Sequence, residues 1–197
     1  MVYEIIIQAL WLVIPAYIAN ASALLLGGGK TIDSGKKWKD GKRILGDGKT
    51  WRGLFAGAFV GMIGGFGLSV VAKFGVAIDF PIILNDFTGF PMMIPIIGSI
   101  CFGALFGDII KSFFKRRIGK KRGQDWIPFD QIDFILGLLF FSFLMAGLLH
   151  IIGATIENWF FTSFTPWHIL VLLIITPFFH LFANFVHKKM NSKKSAK

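Results

Sequence analysis

The stretch that decides how this chain folds is 107-GDIIKSFFKRRIGKKRGQDWIPFDQID-133. It sets seven cations (Lys111, Lys115, Arg116, Arg117, Lys120, Lys121, Arg122) and four carboxylates (Asp108, Asp125, Asp130, Asp133) between two long apolar runs. Lys and Arg collect in the cytoplasmic loops of membrane proteins, so a connection this basic assigns itself a side of the bilayer and orients every other segment. Composition agrees: 54% of the 197 residues are hydrophobic and 16% charged, against about a quarter charged in soluble domains. Mean hydropathy is +0.66. The reading is an all-α integral membrane protein, one domain over residues 1–197.

A membrane-spanning helix needs about 20 apolar residues. Working outward, the sequence offers five such runs, at about residues 5–26, 51–76, 91–114, 134–152 and 167–186. The first has no basic leader, contains Pro15 and Asn20, and precedes equally long runs, so it reads as a retained helix rather than a signal peptide. The first long loop carries Lys30, Lys36, Lys37, Lys39, Lys42, Arg43 and Lys49, with Arg52 just beyond, and the tail over residues 188–197 is basic as well. The other connections are nearly free of cations apart from Lys73. Five transmembrane helices, the N-terminus outside, and both long loops and the C-terminus cytoplasmic satisfy this bias without exception. The net charge of +10 is therefore assigned to topology and anionic headgroups, and no nucleic-acid partner is expected. A lone cysteine, Cys101, excludes an intramolecular disulfide and a thiolate metal cage; inside an apolar run it reads as inert packing.

Within the helices, Gly53, Gly57, Gly61 and Gly65 form a stripe at four-residue spacing that lets a neighbouring backbone come close, by itself or as the wall of a lipid groove. Asn20, His180 and Asn184 are expected to make hydrogen bonds between helices, and His150, His168 and His187 to lie near the interfaces. Pro15 and Pro177 are expected to kink their helices.

The chemistry concentrates at the cytoplasmic ends. Asp108, Lys111, Ser112 and Lys115 stand at i, i+3, i+4 and i+7, on one helix face. After Pro128, Asp130 and Asp133 share a face of the next helix's first turn. Simple alternatives are an ion pair of Asp108 with Lys111 or Lys115, and helix capping by one of the other two aspartates. Capping does not call for Asp108, and three carboxylates beside a basic loop suit Mg²⁺ held together with substrate phosphates. The loop 40-DGKRILGDGKTWRG-53 contains Gly48-Lys49-Thr50, but a Walker A motif requires glycine where Arg43 stands and a preceding strand. What remains is a glycine-rich basic turn entering a helix N-terminus, a geometry suited to anions. Lys36, Lys37 and Lys39 fit headgroup contacts equally well, and Arg117, Lys120, Lys121 and Arg122 read mainly as topology and headgroup residues.

Gly107-Asp108, Ser112, Lys115-Arg116, Asp125, Pro128, Asp130 and Asp133 resemble the signature of the CDP-diacylglycerol synthases. After Asp125 the bacterial enzymes have Pro-Gly-His-Gly-Gly where this chain has Trp126-Ile127-Pro128-Phe129. The shorter Ile-Pro-Phe-Asp-Gln-Ile-Asp form, together with the Asp40 to Gly53 loop, is similar to the archaeal CDP-archaeol synthase family over essentially the whole chain. The resemblance implies a reaction of CTP with 2,3-di-O-geranylgeranylglycerol 1-phosphate at the membrane's cytoplasmic face. It further implies Mg²⁺ on Asp108, Asp130 and Asp133, with Asp125 a weaker ligand for metal or nucleotide. Lys111, Lys115 and Arg116 would neutralise phosphates and Ser112 would hydrogen-bond one. Asp47, Lys49, Thr50 and Arg52 would close over the nucleotide. A CDP-alcohol phosphotransferase would require Asp-x-x-Asp-Gly-x-x-Ala-Arg, which Asp40-Gly41-Lys42-Arg43 does not supply. A small transporter or channel would spread its charges through the bilayer's depth.

Overall fold

A computed structural model describes residues 2–120, 124, 126, 127 and 129–178. Four helices are long and apolar enough to cross a membrane: α1 (Val2–Leu25), α2 (Trp51–Ala77), α3 (Met93–Arg117) and α4 (Phe129–Ile151). A short helix, α5 (Trp159–Ser163), turns the chain into α6 (Pro166–Phe178). The fifth expected run begins in α6; residues 179–186, His180, Asn184, His187 and the basic tail lie outside the described residues. No strand forms among the described residues, only isolated bridges pairing Thr31 with Thr50 and Lys37 with Arg43.

Local chemistry sets the helix ends. Thr50 caps α2, its hydroxyl accepting from the Gly53 amide at 3.1 Å. The third helix continues past the expected residue 114 to Arg117, because cations are favourable in a last turn and nothing breaks the helix earlier. It stops at Gly119 (φ +77°), where the Gly119 amide donates to Arg116 O at 3.1 Å and the Lys120 amide to Lys115 O at 2.9 Å, closing a Schellman turn. The fourth helix starts at Phe129, so Asp130 and Asp133 occupy its opening turns as the sequence suggests.

Two seams of small residues hold the bundle. A Cβ on Gly57 would sit 2.6 Å from Ala23 Cβ, and one on Gly61 would sit 2.7 Å from Ala19 Cβ and 2.8 Å from Pro15 O. The stripe on α2 is thus the packing seam with α1. An unforeseen seam joins α3 to α4 through Gly103, Gly107 and Gly137: a Cβ on Gly103 would meet Gly137 O at 2.8 Å, and one on Gly107 would overlap the Asp133 carbonyl. Leu12, Val13, Ile96, Ile97, Ile100, Ile135 and Leu138 fill the centre, while Phe55, Phe59, Val70, Phe74 and Leu148 face outward, as a lipid-facing bundle requires.

The two polar ends of the bundle differ. At one, the loop over residues 26–50 packs on the C-terminal turns of α3: Lys42 Nζ donates to Arg117 O at 2.9 Å and Arg116 Nε to Leu45 O at 3.2 Å. At the other, Gln8 and Trp11 of α1 donate to Ile83 O and Asn85 O of the α2–α3 connection.

Candidate active site at the basic end

The Gly107–Asp133 contact fixes the site. Because no side chain separates the two backbones there, Asp108 and Lys111 on α3 are brought against Asp130 and Asp133 on α4. Lys111 Nζ lies 3.0 Å from Asp108 Oδ1, 3.0 Å from Asp133 Oδ2 and 3.5 Å from Asp130 Oδ1. Lys115 Nζ donates to both oxygens of Asp130, at 2.9 and 3.0 Å. Lys49, carried in by the first loop, closes the group by pairing with Asp108. Three carboxylates and three ammonium groups alternate, largely buried, at the helix ends. Each sign neutralises the other, which makes such a concentration of charge tolerable beside hydrocarbon.

The cluster faces a cavity of about 300 Å³. Its polar lining includes Asn20, Lys49, Thr50, Asp108, Lys111, Asp130 and Asp133; Leu54, Leu105, Ile109 and Phe134 form an apolar wall. Among the sequence-derived candidates, Asp108, Lys111, Asp130, Asp133, Lys49 and Thr50 therefore meet around one space, with Lys115 behind Asp130.

The others are placed differently. Ser112 Oγ donates to Asp108 O at 2.9 Å within its own helix. Arg116 donates to Leu45 O and, at 2.5 Å, to Lys120 O. Asp47 pairs with Arg43 at 2.8 Å and is largely exposed. Arg52 donates to Leu26 O at 2.7 Å and Gly27 O at 3.0 Å, holding the end of α1 against the start of α2. These four do not line the cavity; they shape the walls that do. Asp125 lies outside the described residues.

The structure corrects two readings. Arg117 is not simply a headgroup residue: it pairs with Asp40 at 3.0 Å, donates to Arg43 O and stacks over Phe113 at 4.9 Å, so it fastens the loop to α3. Asn20 does not have the expected interhelical partner, for its Oδ1 is buried without a hydrogen bond.

Sequence reasoning missed Asp33, the centre of the first loop. Its side chain is fully buried and accepts from Arg43 Nε (3.1 Å) and Nη2 (2.9 Å), and from the amides of Leu45 (3.0 Å), Gly46 (3.1 Å) and Gly35 (3.1 Å). Burial pushes this carboxyl up, but the guanidinium and the three amides outweigh it and hold the group well below the usual carboxylate range. Arg43, the residue incompatible with a P-loop, is raised in turn by its hydrogen bonds to Asp33 and Asp47. The available signal was Asp-Ser-Gly followed ten residues after the Asp by Arg, which is too common a pattern to single out.

Among the described residues no group of three His, Cys, Asp or Glu side chains stands ready to hold a metal ion. The point shared by the three aspartates is filled by the Lys111 ammonium. The donor chemistry nevertheless fits a hard divalent cation: all ligands are carboxylate oxygens, and Asp133 Oδ2 is buried beside Lys111 without a geometrically proper hydrogen bond.

Comparison with known proteins bears on this site. A family model described as CarS-like, CDP-archaeol synthase, matches residues 2–196. The CDP-archaeol synthase of Methanosarcina mazei is 43% identical over 185 residues, covering 92% of this chain and 98% of that protein. That of Thermococcus onnurineus is 37% identical over 189 residues, covering 95% of each. A solved structure of an intramembrane enzyme for archaeal membrane lipids biosynthesis superimposes with a TM-score of 0.67 at 32% identity, over 91% of this chain and 94% of that one.

Proposed function

The chain belongs to the CarS-like CDP-archaeol synthase family, and from that membership we propose that it transfers CMP from CTP to 2,3-di-O-geranylgeranylglycerol 1-phosphate, with Mg²⁺, in one membrane-embedded domain spanning residues 1–197. It is a nucleotidyltransferase of archaeal ether-lipid synthesis and a multi-pass membrane protein. The observation that carries the reading is the cluster of three aspartates and three lysines around the cavity. Its charges satisfy each other at rest. A magnesium nucleotide brings both signs at once, a cation for the carboxylates and a polyphosphate for the ammonium groups.

The chemistry needs no side-chain nucleophile or base. A phosphomonoester oxygen of the lipid, already anionic near neutral pH, attacks the α-phosphorus of CTP. The new P–O bond joins the two phosphates as the bond to the β-phosphate oxygen breaks, and that electron pair leaves with pyrophosphate. Such a reaction depends on alignment and charge neutralisation. Lys49 and Lys111 line the cavity where they can draw phosphates against one wall, and Lys115 holds Asp130 in place. Asp108, Asp130 and Asp133 would hold Mg²⁺ once Lys111 turns to the phosphates; the metal supplies neutralisation of the charge that develops on the leaving oxygen. The amides at the start of α2, behind Thr50, add a favourable dipole for an anion.

The charge distribution supports five spans with the N-terminus outside and the cluster at the cytoplasmic face, where soluble nucleotide and lipid headgroup meet. The isoprenoid chains remain in the bilayer beside the bundle, since moving them into water would cost about 0.8 kcal/mol per CH₂. The test is pyrophosphate release by the purified protein. It should require CTP, Mg²⁺ and the ether-lipid phosphate together, and a preference for diacylglycerol phosphate would reassign the substrate to the ester-linked class.

A further inference from the structure

Away from the charged cluster, the bundle's polar groups are mostly partnered. At the opposite end a pocket of about 170 Å³ lined by Gln8, Asn85, Ser163 and His168 forms a closed network. Asn85 Nδ2 donates to Ser163 Oγ at 2.8 Å, its Oδ1 accepts from Phe87 and Trp159, and His168 Nε2 meets Gln8 Oε1 at 3.3 Å. That network staples the connections and asks for no ligand.

Asn20 is different. Its Oδ1 is buried and unpartnered, and the residue lines the reaction cavity. Ala23 and Leu24, at i+3 and i+4 on the same face of α1, line the cavity too. On this face of α1 the amide's neighbours in the cavity wall are apolar, Ala23 and Leu24. A buried acceptor without a donor is unfavourable, and it becomes favourable when a ligand supplies the donor. Of the two substrates, the lipid phosphate offers only acceptors near its headgroup, namely phosphate and ether oxygens. The nucleoside offers donors, and apolar surroundings suit the faces of a base better than a ribose.

We propose that Asn20 reads the cytosine of CTP: with its carboxamide turned into the cavity, Oδ1 accepts from the exocyclic 4-amino group while Nδ2 donates to the adjacent ring nitrogen N3. The paired donor and acceptor of a carboxamide match that edge as they match base edges in nucleic-acid recognition. This rests on the reaction proposed above.

The experiment measures binding and turnover separately, with Mg²⁺ present. The affinities of wild type and Asn20→Leu are determined calorimetrically for CTP and for its pyrimidin-2-one analogue, which lacks the 4-amino group. Pyrophosphate release is then followed with the ether-lipid phosphate. Asn20→Leu should weaken CTP binding about 10- to 100-fold and bind CTP and the analogue alike, whereas wild type prefers CTP by a similar factor. The KM for the lipid should stay within about twofold, which also reports an intact site. An unchanged CTP affinity in Asn20→Leu overturns the proposal, as does a loss confined to the lipid KM or shared equally by both substrates. CTP binding by wild type without turnover would count against the reaction and leave the role of Asn20 standing. Turnover with unaltered CTP affinity in Asn20→Leu would do the reverse.

Discussion

At the scale of single residues, Lys111 is the centre of the charged cluster. It touches all three aspartates, so it both screens their mutual repulsion and fills the place a divalent cation would take. Lys111→Gln should leave three carboxylates facing one another, and activity should fall by about 100-fold or more with KM for CTP raised, because a phosphate-binding charge is lost as well. Steady-state kinetics with CTP and lipid phosphate check this; unchanged kinetics would confine Lys111 to a structural role. Helical spacing placed Asp108, Lys111 and Lys115 on one face, and that much was legible in the sequence. The pairing of Lys49 with Asp108 was not, because it joins residues from a loop and a helix 59 positions apart.

At the scale of elements, the site depends on two supports. One is the α3–α4 seam. Gly107→Ala would drive a methyl group into the Asp133 carbonyl, so the helices must separate, at a cost of about 1–3 kcal/mol. Thermal unfolding should begin several degrees lower, and activity should fall further than stability alone explains, since the aspartates move apart. The stripe on α2 was visible because four glycines repeat; the second seam rests on one pair at the same spacing, Gly103 and Gly107, and on the isolated Gly137, which form no run to read. The other support is the first loop, organised by Asp33. The folded loop holds this carboxyl below its unfolded value of about 3.9, so the unfolded form binds the proton more readily. The stabilisation is therefore fully present above about pH 4 and fades as the pH falls below it. Amide exchange at Leu45 and Gly46, corrected for intrinsic rate, should show protection lost on acidification, and Asp33→Asn should lack that protection at neutral pH.

At the scale of the whole molecule, hydropathy and charge bias gave the membrane class and the four long helices directly, since both are summed over many residues. The short α5 escaped because five residues between two apolar runs carry no period to read. The reach of the first loop over the helix ends was equally hidden: Arg117 looked like any other cation of its cluster until its contacts with Asp40 and Phe113 were seen. The resulting arrangement places a water-accessible cavity, a charge-balanced cluster and an apolar wall at one end of a membrane bundle, which is what joining a nucleotide to a lipid requires. The most direct measurement of that claim is transfer of label from α-³²P-CTP into lipid by protein reconstituted in vesicles containing the ether-lipid phosphate. Wild type should label the lipid, and Asp108→Asn and Asp130→Asn should each lose about 100-fold or more while Asp79→Asn, at the opposite end, stays near wild type. Near wild-type labelling by both Asp108→Asn and Asp130→Asn would contradict the account.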